Sequence, residues 1–414
     1  MTAAGFWRAP CGNLHAENVA LADIAAEFGT PCYVYSQAAI SGAFAHLQKA
    51  FVKSKPSLRF AVKANGNLAI LKLLAAEGAG FDIVSGGELA RVIAAGGDAS
   101  KVVFSGVGKS AADIKDALVA GIGCFNVESA MELSRLETIA AANNKRATIA
   151  LRINPSIDGG AHPHLATGIG DSKFGIATGE VVPLAKYAAA SSSLHFAGLS
   201  CHIGSQIDKA AAFVDAAAEV AKLREKLGGL GIQTPLINMG GGFAADYQGE
   251  GERINYAVID DAFAAHFADA ELLLEPGRRV CAAAGVLLCR VEYEKQAANR
   301  HYWIVDAGMN DLMRPALYSA IHRVAAVCEQ GEEKKGDIAG PVCESADIIA
   351  RDCKLRITTG GLLAVLDAGA YGMTMACNYN ARPRPCEVMV CGGGVRLIRR
   401  RETVRDLFAA EVNL

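Results

Sequence analysis

The 414-residue sequence contains no stretch of about 18 apolar residues uninterrupted by a charge, glycine or proline, so it predicts no membrane-spanning helix. It also lacks a long basic block. The 41 Lys and Arg stand against 43 Asp and Glu, a formal charge of −2, which leaves no electrostatic footprint for nucleic acid or an anionic membrane surface. Charged residues are scarce at 20%, while the hydrophobic 51% is spread along the chain, excluding wholesale disorder. The opening MTAAGFWRAPCGN has no charged segment followed by an apolar one; no secretory signal is expected, and the cytoplasm is the expected location. No CxxC occurs among the 12 cysteines, which removes support for zinc ribbons and thioredoxin-like motifs, and no metal is expected. The cysteines are scattered singly, several in strand-like runs such as VLLCRV and EVMVC, where reduced thiols serve as small buried side chains.

Length alone allows two or three domains. Between about residues 58 and 275, short β-rich runs alternate with amphipathic stretches rich in Ala, Leu and Glu. Strands are predicted at 58–63, 80–84, 101–105, 123–127, 147–153, 194–200, 234–238 and 271–275. Helices are predicted at 67–78, 86–96, 110–120, 129–142, 181–190, 209–228 and 256–268. Alternation of this kind implies a parallel sheet, and eight units are the number that closes a (β/α)8 TIM-like barrel. A doubly wound open sheet is the competing arrangement. After about residue 283 the texture changes to strand-like runs with Gly and Pro turns, so a β-rich C-terminal domain is expected. The expected division is a barrel over 38–282, with 1–37 plus 283–414 forming the β-rich domain.

In such a barrel the chemistry sits at the carboxyl ends of the strands. Those ends carry Lys63, Asp82, Arg152, the run Cys201-His202-Ile203-Gly204-Ser205, the triple Gly240-Gly241-Gly242, and Glu275-Pro276-Gly277-Arg278. Lys63 lies within LRFAVKA, where burial would turn its ammonium toward a nucleophilic amine. The glycine triple can bring bare backbone N–H groups to an anion, His202 offers a flat ring, and Glu275 can face a cationic ring nitrogen. Each has a plainer reading on its own: a snorkelling lysine, a tight turn, a structural histidine, an ion pair between Glu275 and Arg278. Together, on one mouth, they are the parts that pyridoxal phosphate needs.

At these residues the sequence resembles the fold-type III pyridoxal-phosphate-dependent decarboxylases. The matching stretches are AVKAN (61–65), FDIVSGGEL (81–89), TGIGDSKFGI (167–176), CHIGSQI (201–207), NMGGGF (238–243), EPGRRV (275–280), MRPALY (313–318), GPVCESAD (340–347) and AGAYGMTMACNYNARPRP (368–385). The resemblance implies an alanine-racemase-type barrel and a homodimer whose active sites lie between subunits. It implies that Lys63 forms the Schiff base and that His202 lies against the cofactor ring. By the same resemblance Ser205 and Gly240, Gly241 and Gly242 hold the phosphate, with Glu275, Gly277 and Arg278 also at the cofactor and Glu275 on the pyridinium nitrogen. Arg278, Arg314 and Tyr318 would bind substrate, Glu344 its distal ammonium, and Tyr371 both cofactor and substrate. Cys343, from the partner subunit, would protonate the carbanion; otherwise it is one more buried thiol. Asp82 and Arg152 are read as supporting residues outside the site. The sequence departs from the family pattern after the glycine triple, where Phe243-Ala244-Ala245 replaces a further glycine.

Within this fold the rivals are decarboxylases of ornithine, lysine or arginine and an amino-acid racemase; a racemase would need two bases, whereas the Cys343-Glu344 motif points to protonation after decarboxylation. A substrate with a carboxylate at its far end needs a cation there in addition to an acid for the distal ammonium. Arg314 and Tyr318 with Glu344 therefore favour meso-2,6-diaminopimelate, giving L-lysine and CO2, the last step of lysine biosynthesis. A non-catalytic pyridoxal-phosphate-binding regulator is the reading from another class, and it is expected to have lost the lysine, the cysteine or a substrate arginine, all of which are present.

Overall fold

The computed structural model describes residues 4–155, 157 and 173–412. Two compact units emerge: Phe44–Ala244 with Arg253–Arg278, and Met1–Ala43 with Ala245–Glu252 and Arg279–Leu414. The first boundary falls within the helix Gln37–Ala50, and the short stretch Ala245–Glu252 belongs to the β-rich unit although it lies between barrel elements in the chain.

In the first unit the barrel strands are β1 (Ser57–Ala61), β2 (Gly80–Ile83), β3 (Val102–Phe104), β4 (Cys124–Val127), β5 (Ala147–Asn154), β6 (Leu194–Cys201), β7 (Leu236–Asn238) and β8 (Glu271–Leu274), with the two-residue strand Ile176–Ala177 paired to the end of β5. Each barrel strand pairs in parallel with the next. β8 pairs with β1, so the ladder closes, and the open-sheet alternative is excluded. Among the described residues seven helices alternate with the strands, close to the predicted spans, from Leu68–Ala76 to Tyr256–Phe267. Their starts follow from local chemistry: Asn67, Ser85, Ser110, Ser129 and Asn255 each accept a hydrogen bond from a first-turn backbone N–H. The interior is filled by small and branched side chains, among them Val103, Cys124, Ala150, Ala197, Leu236 and Leu273.

The strand prediction fails in one informative place. β1 ends at Ala61, and Val62–Ala64 forms a 3-10 turn, so Lys63 stands on the turn that leaves the strand. A run of apolar residues with one lysine reads as strand throughout, because the side-chain pattern does not record where the backbone bonds change.

In the β-rich unit, one sheet runs Ile348–Arg356, Glu333–Ala339, Arg300–Val305, Gly285–Ala297, Cys32–Ser36, Cys386–Cys391 and Gly394–Arg399. Leu362–Val365 pairs with both Gly285–Ala297 and Val324–Ala326. Cys32–Ser36 lies between a C-terminal strand and Gly285–Ala297, which ties the N-terminal segment into this unit. Its core includes Phe6, Leu14, Val34, Val286, Leu288, Leu366 and Val388.

A buried ion pair fixes the rim beyond β3 and β4. Lys109 Nζ lies 2.6 Å from Glu132 Oε1 and donates to the carbonyls of Gly106 and Asn126, each at 2.7 Å. Glu132 is also the third residue of the helix capped by Ser129, so the cap aims the carboxylate inward. Removing one member of a buried pair strands the other charge. Lys109→Met is therefore expected to lower stability by about 3–5 kcal/mol, with much of the loss recovered in Lys109→Met/Glu132→Leu. Urea unfolding midpoints of the three proteins check it; an additive double mutant would show that the two charges do not depend on each other.

Candidate active site

The carboxyl ends of the barrel strands bring together a chain of polar groups. Lys63 Nζ lies 2.7 Å from Asp82 Oδ2. Asp82 is fully buried and the Lys63 side chain is 35% exposed, so the lysine sits in an ion pair rather than in the apolar setting expected from LRFAVKA. Asp82, read from sequence as a supporting residue, is thus in direct contact with the lysine. Its other oxygen, Oδ1, is buried with no hydrogen-bond partner among the described residues.

Glu275, just past β8, is buried and accepts hydrogen bonds at Oε1 from Asn238 Nδ2 at 2.6 Å and Asn126 Nδ2 at 3.3 Å. Asn126 Nδ2 also donates to Ser105 Oγ at 3.0 Å. Burial, with the Asp82 charge adding to it, pushes the Glu275 carboxyl up to about 7, against the opposing pull of Lys63 and Arg152. Ser105 and Asn126 were not legible as site residues, because VVFS and CFNV read as core strands; the one available signal was a carboxamide placed in the apolar run CFNV. Arg152 Nη1 lies 2.8 Å from Glu128 Oε1, and Glu128 also accepts from the backbone N–H groups of Gly106 and Gly175.

His202 follows β6. Its Nδ1 accepts from the Gly241 N–H at 3.1 Å, so in the neutral ring the proton resides on Nε2. Burial, aided by the positive Arg152 and Lys63, holds the ring well below the usual imidazole range, and it is neutral near pH 7.

The glycine triple is needed sterically. A Cβ on Gly241 would lie 2.1 Å from the Glu275 carbonyl oxygen, and Gly242, at φ +98°, would place one 2.4 Å from the Gly204 carbonyl oxygen. The loops after β6 and β7 are laced together, Ile207 N–H donating to Gly242 O and Ala244 N–H to Ile207 O. Phe243, which departs from the family pattern, anchors this loop by stacking on Phe213 with ring centroids 4.8 Å apart. Arg278 Nε and Nη2 donate to Ser205 Oγ at 3.2 and 3.1 Å. The Gly277 backbone passes so close to Ala61 and Ala64 that a Cβ would meet theirs at 3.0 and 2.9 Å.

The remaining predicted residues lie in the β-rich unit. Arg314 and Tyr318 occupy one helical turn, Arg314–Tyr318. Arg314 is buried; its Nη1 lies 2.8 Å from His322 Nε2, and its guanidinium stands 4.3 Å from the centroid of the Tyr247 ring. Cys343 and Glu344 are exposed in the loop before Ile348, so Cys343 is not one of the buried thiols. By contrast burial pushes Cys124 and Cys201 up to about 12, which leaves them as inert core. Tyr371 sits at φ +55°, a strained conformation for a bulky side chain. The stretch TGIGDSKFGI lies outside the described residues as far as residue 172.

With this geometry established, comparison with known proteins gives its family. Residues 37–282 match the family described as "Pyridoxal-dependent decarboxylase, pyridoxal binding domain". The chain belongs to the pyridoxal-dependent decarboxylases. Its cofactor is accordingly pyridoxal phosphate, and it is a decarboxylase. It is 45% identical over 410 residues to a diaminopimelate decarboxylase of Neisseria meningitidis serogroup A, covering 96% of this chain and 99% of the relative. To that of Pseudomonas aeruginosa it is 46% identical over 404 residues, covering 96% of each. Among solved structures, diaminopimelate decarboxylase from Helicobacter pylori complexed with L-lysine superposes with a TM-score of 0.91 at 38% identity, covering 94% of this chain and 99% of that one.

The barrel mouth fits the cofactor. The Gly240–Gly242 turn carries no side chain to screen its backbone N–H groups, the buried Glu275 carboxyl suits a cationic partner, and Asp82 Oδ1 has no hydrogen-bond partner among the described residues.

Because Glu275 titrates near 7 in the folded chain but near 4.5 when unfolded, the folded state binds the extra proton between those values. The protonated carboxyl's contribution to stability is thus fully present below about pH 4.5 and is lost as pH rises through about 7, where the buried group must ionise. Glu275→Gln is therefore expected to gain stability over the wild type on moving from pH 5 to pH 8 in cofactor-free protein. Thermal midpoints of both proteins at the two pH values check it; a gap that does not change with pH would refute the raised carboxyl.

Proposed function

We propose that this chain removes CO2 from meso-2,6-diaminopimelate to give L-lysine, the last step of lysine biosynthesis. The observation that carries the reading is the similarity, at 45–46% identity over 96% of the chain, to relatives named diaminopimelate decarboxylase. On this reading the barrel unit, taken as 38–282, holds the cofactor. Residues 1–37 and 283–414 complete the active site across the interface of a homodimer in the cytoplasm.

Pyridoxal phosphate, when bound, supplies an electron sink for the pair left by departing CO2. Lys63 provides the amine that holds it covalently. Glu275 would pair with the ring nitrogen, where a cation would match the buried carboxylate, and neutral His202 would support the ring. Ser205, Gly240, Gly241, Gly242, Gly277 and Arg278 hold the phosphate. Tyr371 reaches both cofactor and substrate. Arg278, Arg314 and Tyr318 bind the substrate carboxylates, and Glu344 takes the distal ammonium. Cys343 of the partner subunit delivers a proton to the carbon that CO2 has left, so that one proton replaces one carboxylate.

The substrate assignment is tested by incubating purified protein with pyridoxal phosphate and each candidate amino acid. L-lysine and CO2 should form from meso-diaminopimelate; faster CO2 release from ornithine or arginine overturns it. Lys63→Ala should abolish the absorption band of the lysine-bound cofactor. In Cys343→Ala turnover should fall by about 100-fold or more with little change in cofactor affinity, whereas equal losses in both would make Cys343 structural.

A further inference from the structure

Two consecutive residues on one turn address two consecutive residues on another. The Tyr379 hydroxyl donates to Glu344 Oε1 at 2.6 Å, and the Cys343 backbone N–H donates to Asn380 Oδ1 at 2.9 Å. Asn380 stands at φ +55° and ψ +28°, a left-handed conformation that asparagine tolerates better than most residues and that carries its carboxamide to the Cys343 backbone. The turn is itself anchored. Asn378 Nδ2 donates to the Arg382 carbonyl and to Glu402 Oε2, and Arg382 Nη2 donates to the Asp306 carbonyl at 2.8 Å.

At its base the Cys343–Glu344 loop is tied separately. The buried Asp347 carboxylate accepts from Val342 N–H at 2.7 Å and Met309 N–H at 2.6 Å, and Gly340 N–H donates to the Asp347 carbonyl at 3.0 Å. Asp347 sets where the loop begins and ends; its tip, where the two functional side chains stand, is held from the 379–380 turn.

We propose that Tyr379 and Asn380 are positioning residues that form a clamp on the tip of this loop: Tyr379 orients the Glu344 carboxylate and Asn380 fixes the backbone that carries the Cys343 thiol. The inference rests on the reading of Glu344 as the acid for the distal ammonium and of Cys343 as the proton donor. With Oε1 committed to the phenol, Glu344 has its rotamer set before substrate arrives and presents Oε2 to an ammonium. A thiol delivering a proton to carbon must instead be placed within a few tenths of an ångström, and its backbone hydrogen bond serves that placement. The two halves of the clamp therefore act on different steps.

The test uses the holoenzyme with meso-diaminopimelate. Tyr379→Phe, which keeps the ring, should raise KM by about tenfold, the worth of one hydrogen bond to a charged group, with kcat within about twofold. Asn380→Gly keeps the left-handed backbone and removes Oδ1; it should lower kcat by about tenfold at nearly constant KM. Both variants should retain the cofactor absorption band. Cys343→Ala/Asn380→Gly should turn over no more slowly than Cys343→Ala alone, since Asn380 acts through that thiol. Variants that match wild type, or that change KM and kcat in equal measure, overturn the clamp. Glu344→Gln separates the two ways of failing. A raised KM there with an unmoved one in Tyr379→Phe overturns the clamp alone; an unmoved KM in both overturns the reading of Glu344 and the clamp with it.

Discussion

All eight barrel strands run the same way and their ladder closes into a ring, so their carboxyl ends share one mouth. Every strand delivers a polar group there: Lys63 after β1, Asp82 in β2, Ser105 after β3, Asn126 in β4, Arg152 in β5, His202 after β6, Asn238 in β7 and Glu275 after β8. Hydrogen bonds then join groups far apart in the chain. Ser105, Asn126, Glu275 and Asn238 form one continuous line although they span residues 105 to 275. No local sequence pattern could impose that line; closure does.

The same closure makes charge expensive. Asp82 and Glu275 are carboxylates inside a barrel whose walls are Val, Ile, Leu and Phe, and the upward shift of Glu275 to about 7 expresses that cost. Two carboxamides and a lysine reduce it without cancelling it. His202 meets the opposite condition, a base kept neutral by burial and by nearby positive charge. The mouth thus holds an acid that would gain from a cation and a flat ring that carries none, the electrostatic complement of a protonated pyridine ring stacked on a neutral surface.

Much of this was legible because parallel barrels write themselves as repeated apolar runs ending in polar residues. The strand count and seven helices follow from that periodicity, and the Gly240–Gly242 triple was legible as a turn able to approach an anion; the backbone oxygens of Gly204 and Glu275 that exclude a Cβ there belong to other loops and were not. What escaped the sequence was whatever depends on contacts between distant segments. Asp82 and Arg152 stood at strand ends and were given supporting roles, since nothing in GFDIV or ALRIN shows which side chain they face. Asn126 was hidden by its apolar neighbours. The grouping of Ala245–Glu252 with the β-rich unit depends on Tyr247 meeting Arg314 and His322, residues about 70 positions further on. Cys343 could be told from the other thiols only by its motif; its exposure separates it from the buried ones but is shared by Cys11 and Cys391.

Arg314 and Arg323 show how one unit prepares two arginines for different ends. Arg323 is 2.8 Å from the Asp367 carboxylate, a short ion pair in a part-buried setting that serves the fold. Arg314 is more deeply placed, yet its hydrogen-bond contact with His322 and its stacking on Tyr247 are both with neutral groups. The His322 ring has its Nδ1 2.8 Å from the Leu366 carbonyl, which needs the proton on Nδ1 and leaves the Nε2 lone pair to accept from the guanidinium. That tautomer lets the imidazole orient Arg314 from one side while the Tyr247 ring orients it from another. A guanidinium held in this way has its planar fork fixed in direction, and a fixed fork is what paired recognition of a carboxylate requires.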